Sequence, residues 1–172
     1  DDDKIIWIGS VDGLTKYQNL NFNNLANQKN LIVYINTLNI ENKSVNWTDT
    51  SLFASGEYSS IKFDGYFNWY KVPQSLQLDY THGSVQFILN TNNIGDQNQV
   101  NYNYKLIGYD KDWVTIYNTN EIVFRNLPSG DYSLVIKASL TNDFSTSQEF
   151  TYHFSVKPPF WKSTSFYIFI VV

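Results

Sequence analysis

The sequence has no cysteine, which excludes disulfides, cysteine-ligated zinc and thiol catalysis and leaves the redox compartment open. Histidine is nearly as scarce. His82 and His153 are the only 2, too few to supply a histidine metal site. Positive charge is in deficit: Lys+Arg 12 against Asp+Glu 16 give a net charge of −4, so no basic stripe exists to neutralise phosphates and nucleic acid is not an expected partner. The acidic start DDDK, residues 1–4, is not a secretory signal, which begins basic and runs into an apolar stretch, so the chain is expected to begin in mid-protein. No apolar run reaches the roughly 20 residues of a membrane span. Gly-rich phosphate loops and Gly-x-Ser-x-Gly elbows are missing too.

What is there is apolar and aromatic: 42% hydrophobic and 17% aromatic residues over a length of 172, enough for one domain of about 100–150 residues with appendages. The organising stretch is 104–139, YKLIGYDKDWVTIYNTNEIVFRNLPSGDYSLVIKAS. Its turn sets Leu127 and Pro128 before Gly130, with proline fixing φ near −65° and glycine expected to take a left-handed conformation. After the turn, Tyr132, Leu134, Ile136 and Ala138 fall on one face, the period of a half-buried strand. A tyrosine just after such a corner is similar to the tyrosine corner of immunoglobulin-like and fibronectin-III-like sandwiches, whose hydroxyl bonds back to the upstream backbone. The alternative is an ordinary core tyrosine.

Alternation recurs elsewhere. Leu31, Val33 and Ile35 begin a first strand, and residues 42–50 read as a loop. Residues 58–70 read as a hairpin about Asp64-Gly65. Leu76, Leu78 and Tyr80 alternate, as do Val85, Phe87 and Leu89, then Tyr102, Tyr104 and Leu106. Residues 113–116 and 122–124 are short strands, and Phe150, Tyr152, Phe154 and Val156 close the series. About seven short strands with regular turn signals are what an antiparallel sandwich requires. The fold class is therefore all-β, an antiparallel immunoglobulin/fibronectin-III-like sandwich.

Both ends carry further signals. IIWIGSVDGLTKYQ, residues 5–18, reads as two short strands around Asp12-Gly13. Its aromatic-Ile-Gly-Ser-x-x-Gly-Leu pattern resembles the repeat of β-propellers in bacterial two-component sensors, with a generic hairpin as the alternative. Residues 19–30, polar and asparagine-rich, read as a linker. At the other end Pro158 and Pro159 stop the last strand, and Trp161 and Lys162 precede the uncharged FYIFIVV of 166–172. An aromatic-basic belt before an apolar run fits the first half of a membrane helix, and a β-strand is the alternative.

Taken in order, hairpin, tyrosine-rich sandwich and membrane approach resemble the three-Y (Y_Y_Y) domain of bacterial propeller-containing sensor and regulator proteins. The resemblance is carried by YKLIGYDKDWV (104–114), NLPSGDYSLVIKAS (126–139) and VKPPFWKSTSFY (156–167), and it spans most of 76–172. It implies a partition into 1–18, the end of a propeller repeat; 19–30, linker; 31–157, sandwich; and 158–172, a joint and the start of a membrane helix. It also implies that the name-giving tyrosines are Tyr104, Tyr109 and Tyr132, beside Trp113. The implied role is an extracytoplasmic sensor and signal-transmission module of a membrane-bound two-component system of the hybrid histidine kinase type. Its implied partners are a second copy, the upstream propeller and oligosaccharide fragments, in the periplasmic or extracellular part of an inner-membrane protein. A fibronectin-like accessory or tandem surface domain of a secreted glycan-degrading or adhesive protein is the competing reading.

Catalysis finds little support. Asp110 and Asp112 flank Lys111, too few carboxylates for a calcium cage and directed apart on a strand, so a solvated turn is expected. No cofactor and no catalytic or metal-ligating residue is expected. Trp47, Trp69 and Tyr70 are the aromatic residues outside a core pattern and the candidate ligand contacts; Pro158, Pro159 and Trp161 are expected to form the coupling joint.

Overall fold

The computed structural model describes residues 5–10, 13–18, 31–67, 70–93, 99–159, 161 and 166, the first two segments by their backbone. Linker 19–30, Trp69, Phe160 and most of 162–172 lie outside the described residues, and with them the membrane-helix reading.

β1 (Ile5–Ser10) and β2 (Gly13–Gln18) form an antiparallel hairpin in register from Ile5↔Gln18 to Ser10↔Gly13. Gly13 is thus the first residue of the returning strand, not the centre of the turn.

The sandwich is built from two sheets. One holds β10 (Val114–Ile116), β9 (Asn101–Ile107), β12 (Gly130–Ser139), β13 (Phe150–Lys157) and β7 (Leu76–Asp79), in that order. The other holds β11 (Glu121–Arg125), β8 (Ser84–Thr91), β3 (Val33–Ile40) and β4 (Lys43–Ser44). Alternation decides the inner faces. Val85, Phe87 and Leu89 of β8 and Ile122 and Phe124 of β11 meet Leu106 of β9, Leu134 and Ile136 of β12 and Tyr152 and Phe154 of β13 in one core.

Three features depart from the expected pattern. In β3 the partners step from Ile35↔Leu89 to Thr37↔Ile88, so Asn36 is an extra residue. The bulge moves the inward phase by one: Val33 and Ile35 are buried before it, Leu38 and Ile40 after it. Second, β7 pairs with β13 in parallel, from Phe154↔Leu76 to Lys157↔Asp79, so the sandwich is not wholly antiparallel. Third, the segment read as a loop leads into a one-turn helix, α1 (Thr50–Ala54), capped by Asp49, whose carboxylate accepts from Ser51 N at 3.1 Å. A helix of that length has no room for a period.

The hairpin expected in 58–70 is displaced. β5 (Gly65–Tyr66) pairs with β6 (Pro73–Gln74), and Lys62 bridges Gln77, so its arms are 62–67 and 70–79. Ser75, at the junction of β6 and β7, takes φ 50.

Candidate functional site

The corner after β11 shows how the tyrosine-rich region is fixed. The Tyr132 hydroxyl donates to the Pro128 carbonyl oxygen at 2.6 Å, and its ring is buried against Phe154 at 5.4 Å between centroids. That is the bond the corner reading expects. The left-handed residue is Asn126, φ 52, whose N–H donates to the Gly83 carbonyl at 2.7 Å. Gly130 simply opens β12 with no positive φ, a correction to the expectation for that glycine.

Gly108 is the glycine with a steric duty, and the sequence reading passed over it. It takes φ +97, and a Cβ there would sit 2.9 Å from the Asp131 carbonyl oxygen and 3.2 Å from the Tyr132 ring. Its neighbour Asp110 closes the same turn: the Asp110 carboxylate accepts from Leu106 N and the Asp110 N–H donates to Leu106 O, each at 2.8 Å. The solvated-turn expectation thus holds for the exposed Asp112, while Asp110 is half-buried and hydrogen-bonded.

Tyr104, Tyr109 and Tyr132, the tyrosines expected to give the family its name, are joined by one chain of rings. Tyr104 and Tyr109 both stand edge-on to Phe124, at 5.9 and 6.5 Å. Phe124 continues through Phe87 and Phe154 to Tyr132. Burial, then the Asp110 carboxylate, raises the Tyr104 phenol above its ordinary pKa; burial, then Tyr109, does the same to Tyr132. The rings serve packing here. On the outer face Trp113 lies under the Lys137 ammonium, 4.6 Å from ring centroid, and Lys137 also pairs with Glu149 at 3.0 Å.

Of the candidate ligand contacts, Trp47 and Tyr70 are among the described residues. Trp47 is corrected: it is 4% exposed, its Nε1 donates to Leu38 O at 2.9 Å, and Phe53 and Phe63 close on its ring, so no face is open to a ligand. Tyr70 is 39% exposed and stacks on Tyr34 at 4.2 Å and 14°.

A shallow groove of about 230 Å³ runs over β7, β13 and β12. Within it Ser133 Oγ and His153 Nδ1 lie 2.8 Å apart, near Asp131. Ser133 pairs with Ile107 of β9 on one side and with His153 of β13 on the other, so its backbone belongs to the ladder. Among the described residues no three His, Asp or Glu side chains are grouped to hold a metal ion, and no helix is long and apolar enough to cross a membrane.

The chain leaves the sandwich under restraint. β13 ends at Lys157, Pro158 is exposed and Pro159 is buried. Trp161 stands edge-on to Tyr80 at 5.2 Å and 79°, and Tyr80 directly follows β7, the strand paired with the end of β13.

Residues 93–157 match the Y_Y_Y domain family. Tyr104, Tyr109 and Tyr132, the tyrosines expected to give the family its name, lie within the match, which starts later than the expected resemblance and ends on the last residue of β13. It takes in β9 to β13, whereas β3 and β8, the centre of the facing sheet, precede the Y_Y_Y match. Among solved structures, the chain is similar to the extracellular domain assigned to the hybrid two-component system BT3049 of B. thetaiotaomicron, with 26% identity and a TM-score of 0.55 over 92% of this chain. Two structures of the extracellular domain of BT4673 from the same organism, one assigned to a one-component and the other to a hybrid two-component system, share the fold. Their identities are 19% and 23% and their TM-scores 0.52 and 0.53, each over 90% of this chain. The chain spans 19% of the length of each of those chains. No curated protein matches it.

Proposed function

We propose that this chain is an extracytoplasmic signal-transmission module of a membrane-bound two-component system of the hybrid histidine kinase type. It passes a change made by a ligand upstream to a membrane helix downstream, and it does so by displacement, not by chemistry. The ligand class is oligosaccharide fragments, taken up by a propeller that precedes the linker, and the receptor acts as a pair of identical subunits in the periplasm or at the cell surface.

The observation that carries this reading is the restrained exit of β13. Its last residues are locked to β7, Pro159 is buried and Trp161 packs on Tyr80. Two consecutive prolines fix φ and carry no N–H, so Pro158-Pro159 is a stiff, non-helical joint. A stiff joint passes on rotation of the last strand where a Gly/Ser linker would absorb it. A small change of angle between paired sandwiches then biases two arrangements of the membrane helices. The likeness to extracellular domains of two-component systems supports the same reading.

The test replaces Pro158-Pro159 by Gly-Gly in the full-length receptor and follows ligand-dependent autophosphorylation together with ligand affinity. Intact binding with lost output is expected. Normal signalling would reject the stiff joint, and lost binding would move recognition into this domain.

A further inference from the structure

The hairpin with arms 62–67 and 70–79 is the part of the chain that the sandwich plan does not require. Its base belongs to the five-stranded sheet: β7 lies beside β13 on one side, and Lys62 and Gln77 exchange backbone bonds on the other, at 3.1 and 2.7 Å. Its outer half crosses to the other sheet. Val72 is buried, Phe67 packs on the core, and the Tyr70 ring stacks on Tyr34 of β3. Between the two, the buried hydroxyl of Tyr152 reaches out of β13 and donates to the Pro73 carbonyl at 2.7 Å. Tyr34 stands at the start of the strand that brings the chain into the sandwich, and Tyr152 stands on the strand that takes it out.

We propose that this hairpin is a side strap that couples the incoming strand β3 to the outgoing strand β13, in addition to the packing of the two sheets, through the Tyr34–Tyr70 stack at its tip and the Tyr152–Pro73 hydrogen bond at its neck. Three features make it suited to carry displacement. It is held at both ends by directional contacts, a near-parallel ring stack and a short hydrogen bond. Its arms are kept in one shape by left-handed backbone at Lys71 (φ 54) and Ser75 (φ 50), conformations that persist only where the surroundings enforce them. It also carries the parallel strand that grips the end of β13. A tilt of β3 therefore reaches β13 by two routes, through the packed core and along the strap.

The purpose of such a strap rests on the transmission reading, but its test does not pass through a receptor. Native-state amide exchange is measured on this chain for Tyr70→Ala, which removes the tip stack, for Tyr152→Phe, which removes only the neck hydroxyl, for the double variant, and for the control Tyr117→Ala, an exposed tyrosine outside the strap. Tyr70→Ala and Tyr152→Phe are each expected to speed exchange of the β7 and β13 amides by about five-fold relative to β11, the effect of losing one hydrogen bond's worth of local stability. The double variant should exchange no faster than Tyr152→Phe alone, since a strap cut at its neck has no further use for its tip. Exchange in β13 that Tyr70→Ala alters no more than Tyr117→Ala does, or effects that multiply in the double variant, would overturn the proposal. Neither result touches the double-proline joint, which the receptor experiment tests separately.

Discussion

Two glycines border the Tyr132 ring under different constraints. At Gly130 an added Cβ would lie 3.6 Å from the Tyr132 hydroxyl oxygen, an ordinary contact, whereas at Gly108 it would press on a backbone carbonyl at 2.9 Å with φ at +97. Gly130→Ala should therefore change stability little and Gly108→Ala should cost about 2 kcal/mol, read from urea midpoints of the two variants. The sequence pointed to the wrong member of the pair, because a turn motif advertises glycine by its neighbours while the close approach of Asp131 to Gly108 joins distant strands. Tyr132→Phe should cost about 0.5–1.5 kcal/mol through the lost bond to Pro128, and equal midpoints would remove the corner. The buried phenols also set an alkaline limit. Burial, then Tyr34, raises Tyr102 from 10.0 to about 12, and burial moves Tyr152 upward as well. Unfolded tyrosines ionise near pH 10, so the stability contributed by the neutral buried rings is complete below that pH and is lost as pH rises from about 10 towards 12. Urea midpoints that stayed level between pH 8 and pH 11.5 would contradict it.

The strands were legible wherever alternation was uninterrupted, as in β8, β12 and β13, because one buried face imposes a period of two on the sequence. The β3 bulge was not legible: Asn36 is polar and exposed like any outward residue, and only the later burial of Leu38 and Ile40 betrays the slip. Deleting Asn36 gives Val33, Ile35, Leu38 and Ile40 one uninterrupted period of two and keeps all four inward, so the variant is expected to stay soluble and to unfold cooperatively with a urea midpoint near that of the parent chain. Aggregation or loss of cooperative unfolding would show that the bulge itself, and not only the inward phase, is needed. The strap was read as a hairpin centred several residues too early, since its aromatic residues are divided between core, tip and solvent and give no single period. Its hold on Tyr152 spans 79 positions, which no local pattern encodes. Of the candidate ligand contacts, Trp47 was misjudged for a related reason: α1 and the neighbouring Phe63 bury it without any alternation to announce it.

At the scale of the molecule, the sandwich class could be read from alternation and turn spacing, and the partition expected at residue 30 can be tested directly. The described core runs from Leu31 to Val156. Removing residues 1–30 should therefore leave the urea midpoint of the sandwich within about 0.5 kcal/mol of the whole chain, the usual range for changes that spare the core. A larger fall would assign the first thirty residues to the sandwich. The parallel pairing of β7 with β13 has a mechanical side. Antiparallel neighbours joined by a tight turn can be peeled apart from one end, one rung after another. β7 and β13 run in the same direction, with the chain leaving from the far end of β13, so tension along that tether loads their rungs side by side, in shear. All of them must give way together before the last strand slides, and the domain meets a pull on the C-terminal end of β13 as a clamp that resists slippage.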